Sequence, residues 1–236
     1  MNLKGIAFTL FAFLVLASSA SYAGVAKYNR WTQAEINVCF GEKETEYYMT
    51  GMEGPKRDWK QSEKELVQKV LEEEYTPART GYFFSGFKNC SETENINIVV
   101  GVRSGFTVQS VAGVNGIATV GMGGSKTSYE RDRGAVVLSP RGVSKTTIVH
   151  EFGHVLGLLH EHLHPNAREE SGSLCPYYLN SGDIDRATLY TDFDKTSVMN
   201  YCHIFSPSGR KAGLSEKDVE LILDIYNDKH PFRLRR

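Results

Sequence analysis

The sequence predicts a protein of the α+β class on three observations. Short runs with a period of two fill much of the first half, one long amphipathic segment interrupts them, and a second amphipathic segment closes the chain.

The chain opens with a single lysine, Lys4, an apolar run from Gly5 to Leu16, and small residues ending in Ser21, Tyr22 and Ala23. This order reads as a signal peptide, residues 1–23, cut near Ala23. The apolar run is short for a span of ~20 residues, so no stable membrane anchor is expected. The remainder, 24–236, reads as one domain exported to the periplasm or the extracellular space.

Within Trp31 to Phe40, the alternation of Ile36, Val38 and Phe40 predicts a half-buried strand. From Ser62 the period changes. Ser62 and Glu65 have the spacing of a capping box, and Leu66, Val67, Val70 and Leu71 recur at helical spacing up to about Glu74. Ile96, Ile98 and Val100 return to a period of two, and Gly116–Val120 and Ala135–Leu138 read as two further strands. The glycine-rich stretch between them, Gly121 to Thr127, is not a phosphate loop, because Ser125 separates the last glycine from Lys126; it reads as a bend. After Tyr177 the chain is irregular and rich in Asn, Ser, Gly and Asp. It then closes with a helix in which Ser215 serves as cap, Asp218 lies in the first turn, and Val219, Ile222, Leu223 and Tyr226 form the apolar stripe.

Lys and Arg number 27 against 28 Asp and Glu, so no charge excess points to nucleic acid or to an anionic membrane. The four cysteines, Cys39, Cys90, Cys175 and Cys202, are an even count in an exported chain, which favours disulfides. Of three possible pairings, Cys39 with Cys90 and Cys175 with Cys202 is favoured, since each bridge then staples one half of the chain.

The segment HEFGHVLGLLH, His150 to His160, carries the chemistry. A chance match to its five defining positions is about one in a few million at equal residue frequencies. At 3.6 residues per turn, His150 and His154 fall one above the other on one helix face and can point at one ion. Glu151 is offset round the helix, within reach of a water at the metal, and is the candidate general base. Gly157 can take the left-handed backbone that stops a helix, which brings His160 in as third ligand. Three neutral imidazoles leave zinc an open position, the pattern of a catalytic site. Ile148, Phe152, Val155 and Leu156 give the helix an apolar back. His162 and His164 compete for the third position; they read as surface residues or as supports behind the ligands. His203 and His230 read as structural.

Downstream lies SVMNYC, Ser197 to Cys202. Taken with HEFGHVLGLLH, it gives the chain a resemblance to the metzincin clan of zinc peptidases, in which a methionine-bearing turn, here at Met199, forms a hydrophobic floor under three histidines. Glu161 directly after His160, and Tyr201 two residues after Met199, make the chain most similar to the astacin family. The serralysin family shares the tyrosine, but glycine-aspartate calcium repeats are absent. The resemblance implies a twisted, mostly parallel five-stranded sheet with two long helices, an active-site helix carrying the zinc motif, and an irregular lower half ending in a helix. It also implies one catalytic zinc on His150, His154 and His160, with Glu151 as base. Tyr201 would be a switchable fifth zinc ligand that swings out to stabilise the oxyanion. Substrates would be proteins or peptides, extended along the strand near Gly116–Val120, and a monomer is expected. In animal astacins the glutamate at the Glu161 position meets the mature N-terminus. After His162 the chain runs LHPNARE, without the usual arginine and aspartates, and its cysteine positions depart from the animal pattern, as in a divergent relative.

Two other readings compete: a non-catalytic zinc-binding module on a peptidase fold, and a zinc hydrolase acting on another bond. Retention of Glu151 and Tyr201 weighs against the first. Arg168, Glu169, Glu170 and Arg186, between Glu161 and Thr196, read as solvated surface.

Overall fold

The computed structural model describes residues 31–42, 57–102, 116–118, 134–140, 143–164, 167, 192–200 and 212–226. The expected leader and the expected bend at 121–127, Arg168 to Arg186, Cys175, Tyr201, Cys202, His203 and His230 lie outside these residues.

Among the described residues, five strands form one sheet: β1 (Glu35–Phe40), β2 (Phe83–Asn89), β3 (Ile98–Val102), β4 (Gly116–Ala118) and β5 (Gly134–Leu138), in the order β2-β1-β3-β5-β4. All pairings are parallel except that of edge strand β4, which runs antiparallel to β5. The α-helices among the described residues are α1 (Gln61–Glu74), the single turn α2 (Pro77–Thr80), α3 (Lys145–Val155) and α4 (Glu216–Tyr226).

The period of two sorts side chains onto two faces. Ile36, Val38, Phe40, Ile98, Val100, Val102, Val136 and Leu138 enter the main core with Val67, Val70 and Leu71 of α1 and the apolar back of α3. Cys39, Cys90, Val99 and Val137 form a smaller cluster on the other face, joined by Ile96. There Cys39 and Cys90 are disulfide-bonded, as the stapling argument expects.

Three details differ from the sequence reading. Alternation does not announce β2. Gly86 (φ 92°) and Phe87 (φ 55°) are left-handed, and the register passes from Val38 opposite Gly86 to Cys39 opposite Lys88, leaving Phe87 as a bulge that breaks the period. A side chain at 86 would also meet the Val38 carbonyl oxygen, 2.7 Å from its Cβ. Helix α1 starts ahead of Ser62, which lies inside its first turn; Glu63 closes the helix end by accepting from the Lys60 amide (3.0 Å), held there by Arg57. Finally, the buried face of α4 is rotated from the expected stripe. Leu221 and Ile225 are buried with Val219 and Ile222, whereas Leu223 and Tyr226 are only partly covered.

Candidate metal centre

Helix α3 starts at Ser144, whose hydroxyl accepts from the Thr147 amide. It is then gripped by side chains from three other elements. The Tyr75 hydroxyl at the end of α1 donates to the Val149 carbonyl (2.6 Å), the Trp31 indole N–H to that of Val155 (2.8 Å), and the Tyr226 hydroxyl of α4 to that of Leu156 (3.2 Å). The last two satisfy carbonyls that a helix end leaves without partners. Phe84 of β2 packs edge-on against Phe152 and Tyr75, so the unannounced strand supports this helix directly. The expected apolar back, Ile148, Phe152, Val155 and Leu156, is fully buried.

At Gly157 (φ 95°) the helix stops as its glycine predicts. The Gly157 amide donates to the His154 carbonyl (2.8 Å) and the Leu158 amide to that of Gly153 (3.0 Å), the two bonds of a Schellman motif. This turn brings His160 back over the helix. The ligand nitrogens of His150, His154 and His160 all lie within 4.8 Å of one another, with Nε2 of His160 3.3 Å from that of His150 and 3.0 Å from that of His154. His162 and His164 stand outside the cluster. Both are buried, not surface residues: His162 tilts against the His160 ring (5.0 Å) and His164 against Phe193 (5.6 Å).

Carbonyl contacts fix two of the rings. Nδ1 of His150 lies 2.9 Å from the Val198 carbonyl oxygen, and Nδ1 of His154 lies 2.7 Å from that of Leu158. A carbonyl only accepts, so each Nδ1 carries the proton and each Nε2 turns a bare lone pair to the centre. Burial pushes the His154 imidazole down to about 4, which keeps it neutral. Converging lone pairs repel unless an electron-poor centre lies between them. Nitrogens around a tetrahedral zinc at ~2.0–2.1 Å stand roughly 3.3–3.4 Å apart, close to the two spacings from His160, 3.3 and 3.0 Å. The donor set and its tautomers therefore fit a zinc ion.

Glu151 is 3% exposed, on the helix between His150 and His154. Met199 is buried, with its sulfur against the gap left by Gly153. The floor expected at Met199 is thus in place beneath the helix that carries two of the histidines. Glu161 donates its amide to the Met199 carbonyl (3.1 Å) and accepts the Asp194 amide on its carboxylate. Burial raises its carboxyl to about 8 against the pull of that amide, and the Asp218 and Asp194 carboxylates add to the rise. The roles of Asp194 and Asp218 around this segment are absent from the sequence reading. The spacing of Ser215 and Asp218 signals a helix cap, but nothing local tells that the same carboxylate reaches a turn 20 residues upstream.

A mostly parallel sheet with one antiparallel edge strand, and a helix that stops at glycine to bring a third histidine to two others, match the fold that the astacin-like metzincin resemblance implies. One solved structure shares the fold. The chain is similar to myroilysin, with a TM-score of 0.50 and 17% identity over 86% of this chain and 98% of that one. It also matches high choriolytic enzyme 1, a hatching enzyme zinc-protease from the medaka fish Oryzias latipes, at a TM-score of 0.48 and 16% identity over 85% of this chain and 94% of that one. No family model matches the sequence, and no curated protein matches it.

Proposed function

We propose that the protein is an exported zinc endopeptidase that hydrolyses peptide bonds in proteins. The observation that carries this reading is the convergence of His150, His154 and His160 with two tautomers fixed by carbonyls. These three residues would hold the ion. Zinc bound there supplies Lewis acidity, which makes a water acidic enough to attack a carbonyl near neutral pH. Glu151, next to the first ligand and offset round the helix, takes the proton of the attacking water and returns it to the leaving amine. Tyr201, two residues past Met199, donates a hydrogen bond to the oxyanion of the tetrahedral intermediate. The substrate backbone lies along β4, whose place at the sheet edge next to β5 offers hydrogen-bonding groups to an extended peptide.

Export is supported by the leader and by the Cys39–Cys90 disulfide, a bond that persists in oxidising compartments. No helix among the described residues is long and apolar enough to cross a membrane.

The test is casein cleavage by the purified chain lacking residues 1–23, with zinc quantified, beside Glu151→Gln. Cleavage that a chelator abolishes and zinc restores, and a variant that keeps one zinc but loses turnover, are the expected results. Wild-type turnover in Glu151→Gln would refute the base assignment. A zinc-loaded wild type that cleaves no protein substrate would refute the peptidase reading and leave the non-catalytic module and the hydrolase of another bond.

A further inference from the structure

We propose that Asp218, in the first turn of α4, is a positioning residue for the metal centre: it holds the turn at 197–199 so that the backbone of that turn aims His150 and anchors the peptide after His160. The inference rests on the three-histidine metal site proposed above.

Asp218 is 5% exposed, and its carboxylate accepts three hydrogen bonds. One comes from its own helix cap, the Ser215 amide (2.9 Å), whose hydroxyl reciprocally accepts the Asp218 amide (3.0 Å). A cap needs no more than this pair. The other two donors belong to the methionine turn: the Ser197 hydroxyl (2.6 Å) and the Val198 amide (3.3 Å). The Ser197 oxygen in turn accepts the Met199 amide (3.0 Å). Asp218 thus fixes Val198 directly and Met199 through one hydroxyl.

Both of those residues spend their carbonyls at the metal site. Val198 accepts from Nδ1 of His150, and Met199 accepts from the amide of Glu161, the residue after His160. The far end of the segment is tied to the same cap, because Asp194 accepts the Ser215 hydroxyl and the Thr196 amide and hydroxyl, while its own amide meets the Glu161 carboxylate. Two of the three histidines therefore depend on α4. The third does not: His154 is set by the Leu158 carbonyl within its own Schellman turn. Partners that orient a metal-binding imidazole typically contribute 10–100-fold to metal affinity.

The experiment compares wild type, Asp218→Asn, Ser197→Ala and Val67→Ala. Zinc affinity is read by chelator competition, and site geometry by the visible bands of the cobalt(II)-loaded protein. Val67→Ala loosens the same core from α1 without altering any hydrogen bond of the site, and so controls for general loosening. Ser197→Ala removes one hydroxyl while leaving the Ser215–Asp218 cap whole, so it decides the matter where Asp218→Asn does not fold. Expected is a tenfold or greater loss of zinc affinity with altered cobalt bands in Asp218→Asn and Ser197→Ala, and neither change in Val67→Ala. Unchanged affinity and bands in the first two, or equal losses in Val67→Ala, would overturn the proposal while leaving the metal site standing. A wild type that binds no zinc would overturn the site reading and this inference together.

Discussion

A Cβ placed on Gly153 would stand 2.7 Å from the sulfur of Met199, so the methionine fits against the helix that carries His150 and His154 only because residue 153 has no side chain. An alanine there would gain about 1 kcal/mol in helix propensity. Overpacking a filled core costs about 1–3 kcal/mol, and Met199, 1% exposed, has little room to withdraw. Gly153→Ala is therefore expected to lower stability in a urea melt and to weaken zinc retention on dialysis. A more stable variant with full zinc would show that the contact is slack.

The Cys39–Cys90 bridge closes a loop of 51 residues. By the chain-entropy relation such a closure contributes about 4 kcal/mol. Replacing both cysteines with serine should reduce unfolding free energy by that order in guanidinium melts. The bridge lies in the smaller cluster, on the sheet face away from the α3 core, so zinc stoichiometry of the folded fraction should be unchanged.

Glu74 ties four segments together. Its carboxylate meets Lys145 at the start of α3 (2.7 Å), Arg79 of α2 (2.6 Å) and the Leu214 amide ahead of α4 (3.2 Å). Burial alone would raise its carboxyl, but the hydrogen bonds from Lys145 and Arg79 outweigh it and leave the group below its ordinary value. A carboxylate lowered in the folded state contributes stability above the unfolded value of 4.5, and that contribution is lost as pH falls through the folded value. Melting temperature should thus drop as the pH is taken below about 4.5, and Glu74→Gln should show a lower plateau near neutral pH with a shallower acid limb. Parallel acid limbs for the two proteins would refute this.

On the oxyanion role proposed for Tyr201, Tyr201→Phe should lower kcat by about 10²–10³, the range for loss of one such donor, while KM and zinc content stay near wild type. Loss of zinc instead would assign the hydroxyl a ligand role in the resting protein.

The sequence made the centre of the site more legible than its surroundings, for a physical reason. His150, Glu151, His154, Gly157 and His160 lie within eleven residues, so helix geometry and one left-handed turn place them without reference to the rest of the chain. The Ser215–Asp218 cap was legible for the same reason. The Asp218–Ser197 bond, the Tyr75–Val149 contact and the Trp31–Val155 contact join residues 21, 74 and 124 apart, and no local pattern encodes them. Strand β2 was hidden because a single bulged residue, Phe87, resets the alternation on which strand reading depends.

Trp31 and Tyr226 come from opposite ends of the described chain, yet both insert a donor into the final turn of the helix that carries His150 and His154. Damage at either place is therefore felt at the candidate metal centre. A chain clipped just past Trp31, or one whose last helix has peeled away, would lose a brace on the helix that carries two of its histidines.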